Sequence, residues 1–169
     1  DTIVPSVILR NLFENPGWYT QYTPYQAEIA QGRLESLLNF QTMVSDLTAL
    51  PIANASLLDE GTAAAEAMAM LFNHKNKDHD DIRSGKFFID EKIFSQTKDI
   101  LITRAKPVGI EPVFGDFKKA QLDETYFGAI VQYPDSEGSI EDHRNFIESA
   151  HSVNVQVIMA TDLMALTLL

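Results

Sequence analysis

Hydrophobic and polar residues alternate along this chain in two different periods, one typical of helices and one typical of buried strands. After Thr23 and Pro24, apolar residues recur at helical spacing and predict one long helix lying along a core. These residues are Ala30, Leu34, Leu37, Leu38, Val44 and Leu47. Gly32 lies within this predicted helix, where it indicates close packing against a neighbouring element. An earlier apolar segment, residues 4–13, predicts a short helix or an extended arm.

The second half of the chain predicts strands that alternate with helices. Short continuous apolar runs predict strands at residues 87–89, 110–114, 126–133 and 155–160. Helical patterns precede or separate them at residues 63–70, 94–105 and 140–152. This alternation indicates a three-layer α/β/α fold with a mostly parallel sheet. Ligands of such sheets bind beyond the carboxyl ends of the strands, so we expect any site in the loops 90–93, 134–138 and 161–162 and at the start of the central helix.

The central helix begins in a polar turn that could bind an anion. Asp59, Glu60 and Gly61 can open the helix, and the alanines that follow are strong helix formers. Unpaired N–H groups at such a start carry positive partial charge, which favours phosphate. The two carboxylates would compete with that phosphate, and a buried helix of small residues that binds nothing is the alternative.

Aromatic residues are concentrated in one segment that follows an Asn-Pro-Gly turn. The segment predicts either a loop packed on the surface of the core or an aromatic wall at a cleft or interface, and its aromatic residues are Trp18, Tyr19, Tyr22 and Tyr25.

Two histidines and three aspartates between residues 74 and 86 could suggest a metal site. A short polar loop does not fix their geometry, so we predict a solvated loop and no metal.

Composition excludes several classes of function. The 169 residues are 45% hydrophobic, enough for a core, and the formal net charge of −11 disfavours nucleic acid and anionic membranes as partners. There is no cysteine, no apolar run that could span a bilayer, and no signal peptide, so we expect a cytoplasmic protein, or one of the mitochondrial matrix if it is eukaryotic. Glycine-rich dinucleotide and Walker-type loops are also absent. We interpret both ends as cut edges of a longer polypeptide.

Four motifs in one order resemble a known family. The motifs are Asn-Pro-Gly-Trp-Tyr-Thr at 15–20, Tyr-Thr-Pro-Tyr-Gln at 22–26, Gln-Gly-Arg-Leu-Glu at 31–35 and the segment 54–70. Together they are similar to the amino-terminal half of the glycine cleavage system P-protein. The similarity continues through residues 99–109 and 162–167 and so covers essentially the whole chain.

The resemblance implies the fold and the chemistry of that family. The fold is the large domain of a pyridoxal-phosphate (PLP) transferase, aspartate aminotransferase-like and of fold type I, here at residues 26–169 after an arm and aromatic loop at 1–25. The family decarboxylates glycine with PLP and transfers the aminomethyl group to the lipoyl arm of H-protein. Its subunit is built from two similar halves, of which the carboxyl-terminal one holds the cofactor, and we expect the parent enzyme to be an oligomer.

The resemblance also implies positions for a cofactor site. The phosphate-binding position corresponds to Glu60, Gly61, Thr62 and Ala63. The carboxylate opposite the pyridine nitrogen corresponds to Asp162, unless the alignment of this strand is shifted by two residues, in which case the position is that of Ala160. PLP also needs a lysine, which in this fold lies beyond the strand that carries the carboxylate, and the chain ends seven residues after Asp162.

We therefore expect a vestigial site, no bound PLP, no catalytic residue, and a scaffold role in which the aromatic segment lies near the catalytic half or the active-site entrance. Two alternatives remain open. One is a PLP-binding domain whose lysine lies further along the parent chain, and the other is an unrelated nucleotide-binding α/β module.

Overall fold

A computed structural model describes residues 3–18, 26–55, 57–77 and 85–168. The chain divides into two compact units, residues 1–56 and 57–169. The predicted boundary between residues 25 and 26 adjoins residues 19–25, which lie outside the described residues, and that division stays a prediction. No described helix is both long enough and apolar enough to cross a membrane.

The amino-terminal unit contains two helical segments. The predicted short helix at residues 4–13 is present as α1 (Ser6–Ile8), which continues into a π-helical turn (Leu9–Phe13). A 3-10 turn (Ala27–Ile29) then precedes the long helix α2 (Gln31–Thr48). Gln41 anchors the segment after α2 by donating from Nε2 to the Ala53 carbonyl oxygen at 2.6 Å.

Three expectations for α2 are wrong. The helix begins at Gln31 rather than at Thr23, because the 3-10 turn interrupts the path before it. No residue of α2 is buried, so the apolar stripe does not lie along a core in the described structure. Gly32 has no atom within 4 Å of the position that a Cβ would take, so close packing does not explain this glycine.

The carboxyl-terminal unit is built on a four-stranded parallel sheet. Its strands are β1 (Gly85–Asp90), β2 (Ile110–Gly115), β3 (Tyr126–Tyr133) and β4 (Gln156–Thr161), in the order β2-β1-β3-β4. The four predicted strands are thus confirmed, with bounds that differ by at most two residues. Pro112 lies in β2, which is an edge strand, the position in a sheet where proline is tolerated.

Helices cover both faces of this sheet, so the predicted three-layer α/β/α fold is confirmed. On one face, α3 (Glu60–Lys75) and α4 (Ser95–Ala105) pack on the sheet through a core that includes Met68, Phe72 and Leu101. On the other face, α5 (Arg144–Ser152) buries Phe146 and Ala150 against β1 and β3. Burial of these apolar side chains on both faces explains why the strands read as nearly continuous hydrophobic runs.

The strand order creates a switch point between β1 and β3. From β1 the chain crosses to β2 on one side, whereas from β3 it crosses to β4 on the other side. Connections that diverge from two neighbouring strands leave a crevice at their carboxyl ends, where ligands of α/β proteins bind.

Helix α3 begins at the same edge of the sheet. Its last residue, Lys75, lies with Gly85 and Glu111 around one cavity at the amino ends of β1 and β2. A helix of 16 residues is about 24 Å long, so its first residue is at the opposite, carboxyl edge.

Candidate functional site

The first turn of α3 is capped by its own chain. Asp59 is the N-cap residue, and its Oδ1 accepts the N–H of Thr62 at 2.7 Å. This bond from the Thr62 N–H lowers the pKa of the Asp59 carboxyl, because the charged form is the better acceptor. The Asp59 carbonyl oxygen accepts the Ala63 N–H at 3.0 Å. The Ala63 bond is the first regular bond of the helix, so among the amides that a helix start leaves unpaired, that of Thr62 is already bonded to the cap.

The side chains of this turn do not form an anion-binding surface. Glu60 is exposed and adds a second carboxylate to the turn. Gly61 is buried, and a Cβ there would lie 2.4 Å from Ile100 Cδ1 and 3.6 Å from Thr97 Cα. This glycine therefore permits close packing of α3 on α4. The sequence interpretation of a buried helix of small residues accounts for the position without a ligand.

Asp162 also forms hydrogen bonds with the residues that follow it. It follows β4 directly, and its Oδ1 accepts the Met164 N–H at 2.7 Å while its carbonyl oxygen accepts the Ala165 N–H at 2.9 Å. These bonds start a 3-10 helix (Leu163–Leu168), and Asp162 itself is exposed. Ala160, the alternative position for this carboxylate, is half-buried against the core beneath α3, and its side chain has no carboxylate.

The switch-point crevice is bridged by three charged residues that we call the Lys92 cluster: Lys92 after β1, and Asp135 and Glu137 after β3. Lys92 Nζ lies 2.8 Å from Glu137 Oε2 and 3.4 Å from Asp135 Oδ2. The Ser136 N–H also donates to the Lys92 carbonyl oxygen at 2.9 Å. The loops that follow β1 and β3 are thus joined through both side chains and backbone.

Asp135 is the buried member of the cluster. Its Oδ1 accepts the N–H groups of Ser139 at 2.8 Å and Glu137 at 2.9 Å. Its Oδ2 is buried and has no hydrogen bond of good geometry, so the nearby Lys92 ammonium supplies charge compensation. Burial by itself would raise the pKa of Asp135, but the two N–H groups and Lys92 outweigh it, and the pKa lies below its ordinary value. The carboxylate is therefore charged at neutral pH.

A second buried polar group lies at the end of β1. Asp90 is buried, and its Oδ1 accepts the Phe117 N–H at 3.2 Å. Burial raises the pKa of the Asp90 carboxyl. His143 is also buried, with its ring centroid 4.5 Å from that of Phe117. Burial lowers the pKa of His143, although the Asp90 carboxylate acts in the opposite direction.

Sequence reasoning missed these buried groups. The predicted site loops 90–93 and 134–138 contain Asp90, Lys92 and Asp135, but no role was predicted for these three side chains. The Asp-Ser-Glu-Gly-Ser run at 135–139 did contain a signal, since an Asp before a glycine-containing turn often bonds to backbone N–H groups further along.

The other predicted site residues are only partly described. Trp18 is 66% exposed, whereas Tyr19, Tyr22 and Tyr25 lie outside the described residues. Most of the histidine-containing segment, residues 78–84, also lies outside them. In the part of the chain that the structure describes, no group of three or more His, Cys, Asp or Glu side chains could hold a metal ion.

The chain matches one protein family over its whole length. The model of the family described as "Glycine cleavage system P-protein" matches residues 1–169. A glycine dehydrogenase (decarboxylating) of Nostoc sp. strain PCC 7120 is 57% identical over 100% of this chain, and one of Flavobacterium johnsoniae is 54% identical over 99%. The chain spans 17% and 18% of the length of these two curated relatives.

Solved structures share the fold. A glycine decarboxylase (P-protein) of the glycine cleavage system, crystallised in an inhibitor-bound form, superposes with a TM-score of 0.76 at 27% identity, over 96% of this chain and 37% of that chain. MetB from Corynebacterium glutamicum has a TM-score of 0.56 at 14% identity, over 73% of this chain and 31% of that one. The second likeness bears on the fold alone.

Proposed function

This chain belongs to the glycine cleavage system P-protein family, and from that premise we propose that it is a non-catalytic scaffold within a glycine dehydrogenase (decarboxylating). The parent enzyme would decarboxylate glycine with PLP and transfer the aminomethyl group to lipoylated H-protein, as the family resemblance implies. The carboxyl-terminal half of the same protein, or a second subunit, would hold the cofactor. A cytoplasmic location stays a prediction.

One observation supports the scaffold proposal: the residues that the resemblance assigns to the cofactor positions are bonded to their own backbone, which does not fit PLP. A phosphate at the start of α3 would have to displace the Asp59 carboxylate from the Thr62 N–H, which it accepts at 2.7 Å. The phosphate would also meet the negative charge of Glu60 in the same turn. Asp162, expected opposite the pyridine nitrogen, already accepts the Met164 N–H. We therefore assign no chemical step to this site.

The amino-terminal unit supports a role in packing. Phe40, Met43 and Leu47 are spaced by three and four residues on α2, and they are 43%, 50% and 57% exposed. Such spacing aligns their side chains on one stripe of the helix. A stripe of large apolar side chains is the pattern that a helix presents to a partner element. We propose that this stripe, together with Trp18, packs against other parts of the parent enzyme.

Labelling with borohydride tests the absence of PLP. The parent enzyme, loaded with PLP and reduced with sodium borohydride, would carry a pyridoxyl group on its catalytic lysine. We expect peptide mapping to find this group outside residues 1–169. A stoichiometric pyridoxyl label on any lysine of this chain would reject the non-catalytic assignment and favour a PLP-binding domain.

Substitutions on α2 test the packing role separately. In the parent enzyme, Met43→Glu and Leu47→Glu should weaken assembly, measured by light scattering after size exclusion, and lower turnover with it. Thr42→Glu is the matched control, because Thr42 is an exposed polar residue of the same helix that is not spaced by three or four residues from Phe40, Met43 or Leu47. For the aromatic segment, Tyr19→Ala and Tyr22→Ala should have the same effect. Unchanged assembly and turnover in all four variants would reject the scaffold role.

A further inference from the structure

The crevice at the switch point of the sheet is closed by the chain itself. We propose that Lys92 is an internal tie which holds the loops after β1 and β3 together, so that the carboxyl edge of this sheet is ordered without any ligand. The inference concerns this chain's own loops and would stand if the parent protein had another activity.

Location is the first argument for the tie. Strands β1 and β3 are hydrogen-bonded neighbours from which the connections diverge. A crevice is therefore expected between the loops that leave their carboxyl ends. Lys92 belongs to the first of these loops, and Asp135 and Glu137 belong to the second. The ammonium of Lys92, 2.8 Å from Glu137 and 3.4 Å from Asp135, spans the place where a ligand would enter.

Burial is the second argument. The Asp135 side chain is only 4% exposed, and its Oδ2 has no hydrogen-bond partner to replace water. A buried carboxylate without a compensating cation is strongly unfavourable, whereas an exposed ion pair contributes little. The positive charge of Lys92 therefore stabilises the folded loop more than the charge of a fully exposed lysine or arginine does. Lys119, which pairs with Asp116 at 3.0 Å and is 85% exposed, is an example of such an exposed residue.

The backbone is the third argument. The Asp135 carboxylate accepts the N–H groups of Glu137 and Ser139, and the Asp135 N–H donates to the Ser139 carbonyl oxygen at 3.1 Å. The loop after β3 is thus folded around this one carboxylate. The Ser136 N–H, which is bonded to the Lys92 carbonyl oxygen, holds the start of this loop next to Lys92.

Hydrogen exchange in the intact parent protein tests the tie. In Lys92→Met, which keeps an unbranched apolar stem but removes the charge, we expect amides of residues 135–140 to exchange at least about tenfold faster than in the unsubstituted protein. Peptides from β3 should keep their protection, which separates local opening from global unfolding. Lys92→Arg, which restores a cation, should bring exchange back to within about threefold. Lys119→Met should leave the loop unchanged.

A milder variant keeps the proposal falsifiable if Lys92→Met fails to fold. Glu137→Gln removes the exposed partner alone and should accelerate exchange of the same amides by about threefold. Amide exchange of residues 135–140 that stays unchanged in Lys92→Met, or in Glu137→Gln where the first variant does not fold, would overturn the proposal. Equal acceleration in Lys119→Met would overturn it as well, because the effect would then reflect any loss of positive charge.

Discussion

Asp59 Oδ1 and the backbone nitrogen of Thr62 lie 2.7 Å apart, so the first turn of α3 is stabilised by its own N-cap. Asp59→Ala should lower the free energy of unfolding of the chain by about 1 kcal/mol, since the Thr62 N–H loses its acceptor. Urea unfolding followed by circular dichroism measures the change. Asp59→Asn is the control, because asparagine caps about equally well. An alanine variant as stable as the asparagine variant would contradict the assignment of the cap.

Gly128 allows β3 to approach the core beneath α3 closely. A Cβ there would lie 2.9 Å from Leu71 Cδ1 and 3.0 Å from Phe87 Cε2, and the Phe87 ring is fully buried and stacked on Phe127. Gly128→Ala should therefore destabilise the chain by about 1–3 kcal/mol, measured as a lower urea midpoint.

Gly61→Ala serves as the comparison for Gly128→Ala, because its Cβ would clash only with the movable Cδ1 of Ile100. Alanine also favours the helix in which Gly61 lies, by up to about 1 kcal/mol. We expect Gly61→Ala to cost less than Gly128→Ala. The reverse order would show that α3 and α4 pack more rigidly than the sheet core.

His143 should make stability depend on pH. Its pKa is lowered by burial, so the unfolded chain takes up a proton near pH 6.5 while the folded chain resists it until a lower pH. Stability from this group is therefore present above about pH 6.5 and is lost as the pH falls through the folded pKa, with a slope of at most about 1.4 kcal/mol per pH unit. Urea unfolding at several pH values between 7.5 and 5 measures the slope.

His143→Gln isolates that contribution, since glutamine keeps an N–H donor but does not titrate. The variant should show a smaller slope below pH 6.5 than the unsubstituted chain. The charged neighbours Asp90, Glu141 and Asp142 remain in both proteins, and the raised pKa of Asp90 acts with the opposite sign. Identical slopes would mean that His143 titrates alike in the folded and unfolded chains.

Asp142 and Arg144 form an exposed pair whose effect is on titration. The Arg144 guanidinium, 2.5 Å from Asp142 Oδ2, lowers the pKa of that carboxyl to about 2. The associated stability is present above pH 3.8 and is lost as the pH falls towards about 2. Arg144→Gln should move the pKa of Asp142 back up, measured by carboxyl chemical shifts during an acid titration. At neutral pH its melting temperature should fall only slightly, because solvent screens this exposed pair, and a marked drop would contradict the exposed character of the pair.

Local pattern was enough to predict the elements of the carboxyl-terminal unit. The run at residues 126–133 became β3 with the predicted bounds, and Gly109 ends the region of α4 in the left-handed conformation, with φ of 77°. Helix α5 was predicted from residue 140 but begins at Arg144. The difference arises because the intervening residues follow the Asp135 turn and bury His143 against Phe117, contacts that a periodic pattern does not contain.

The amino acid sequence alone determined the strands, the alternation that gives a parallel α/β sheet, and the family, because these depend on residue type and spacing along the chain. Tertiary structure decided which residues the charged and small side chains contact. Lys92 meets Asp135 only because β1 and β3 are neighbours, and Gly61 faces Ile100 only because α3 packs on α4. Such pairings join residues far apart in the sequence, and burial at the contact, which no local pattern encodes, sets their energetic weight.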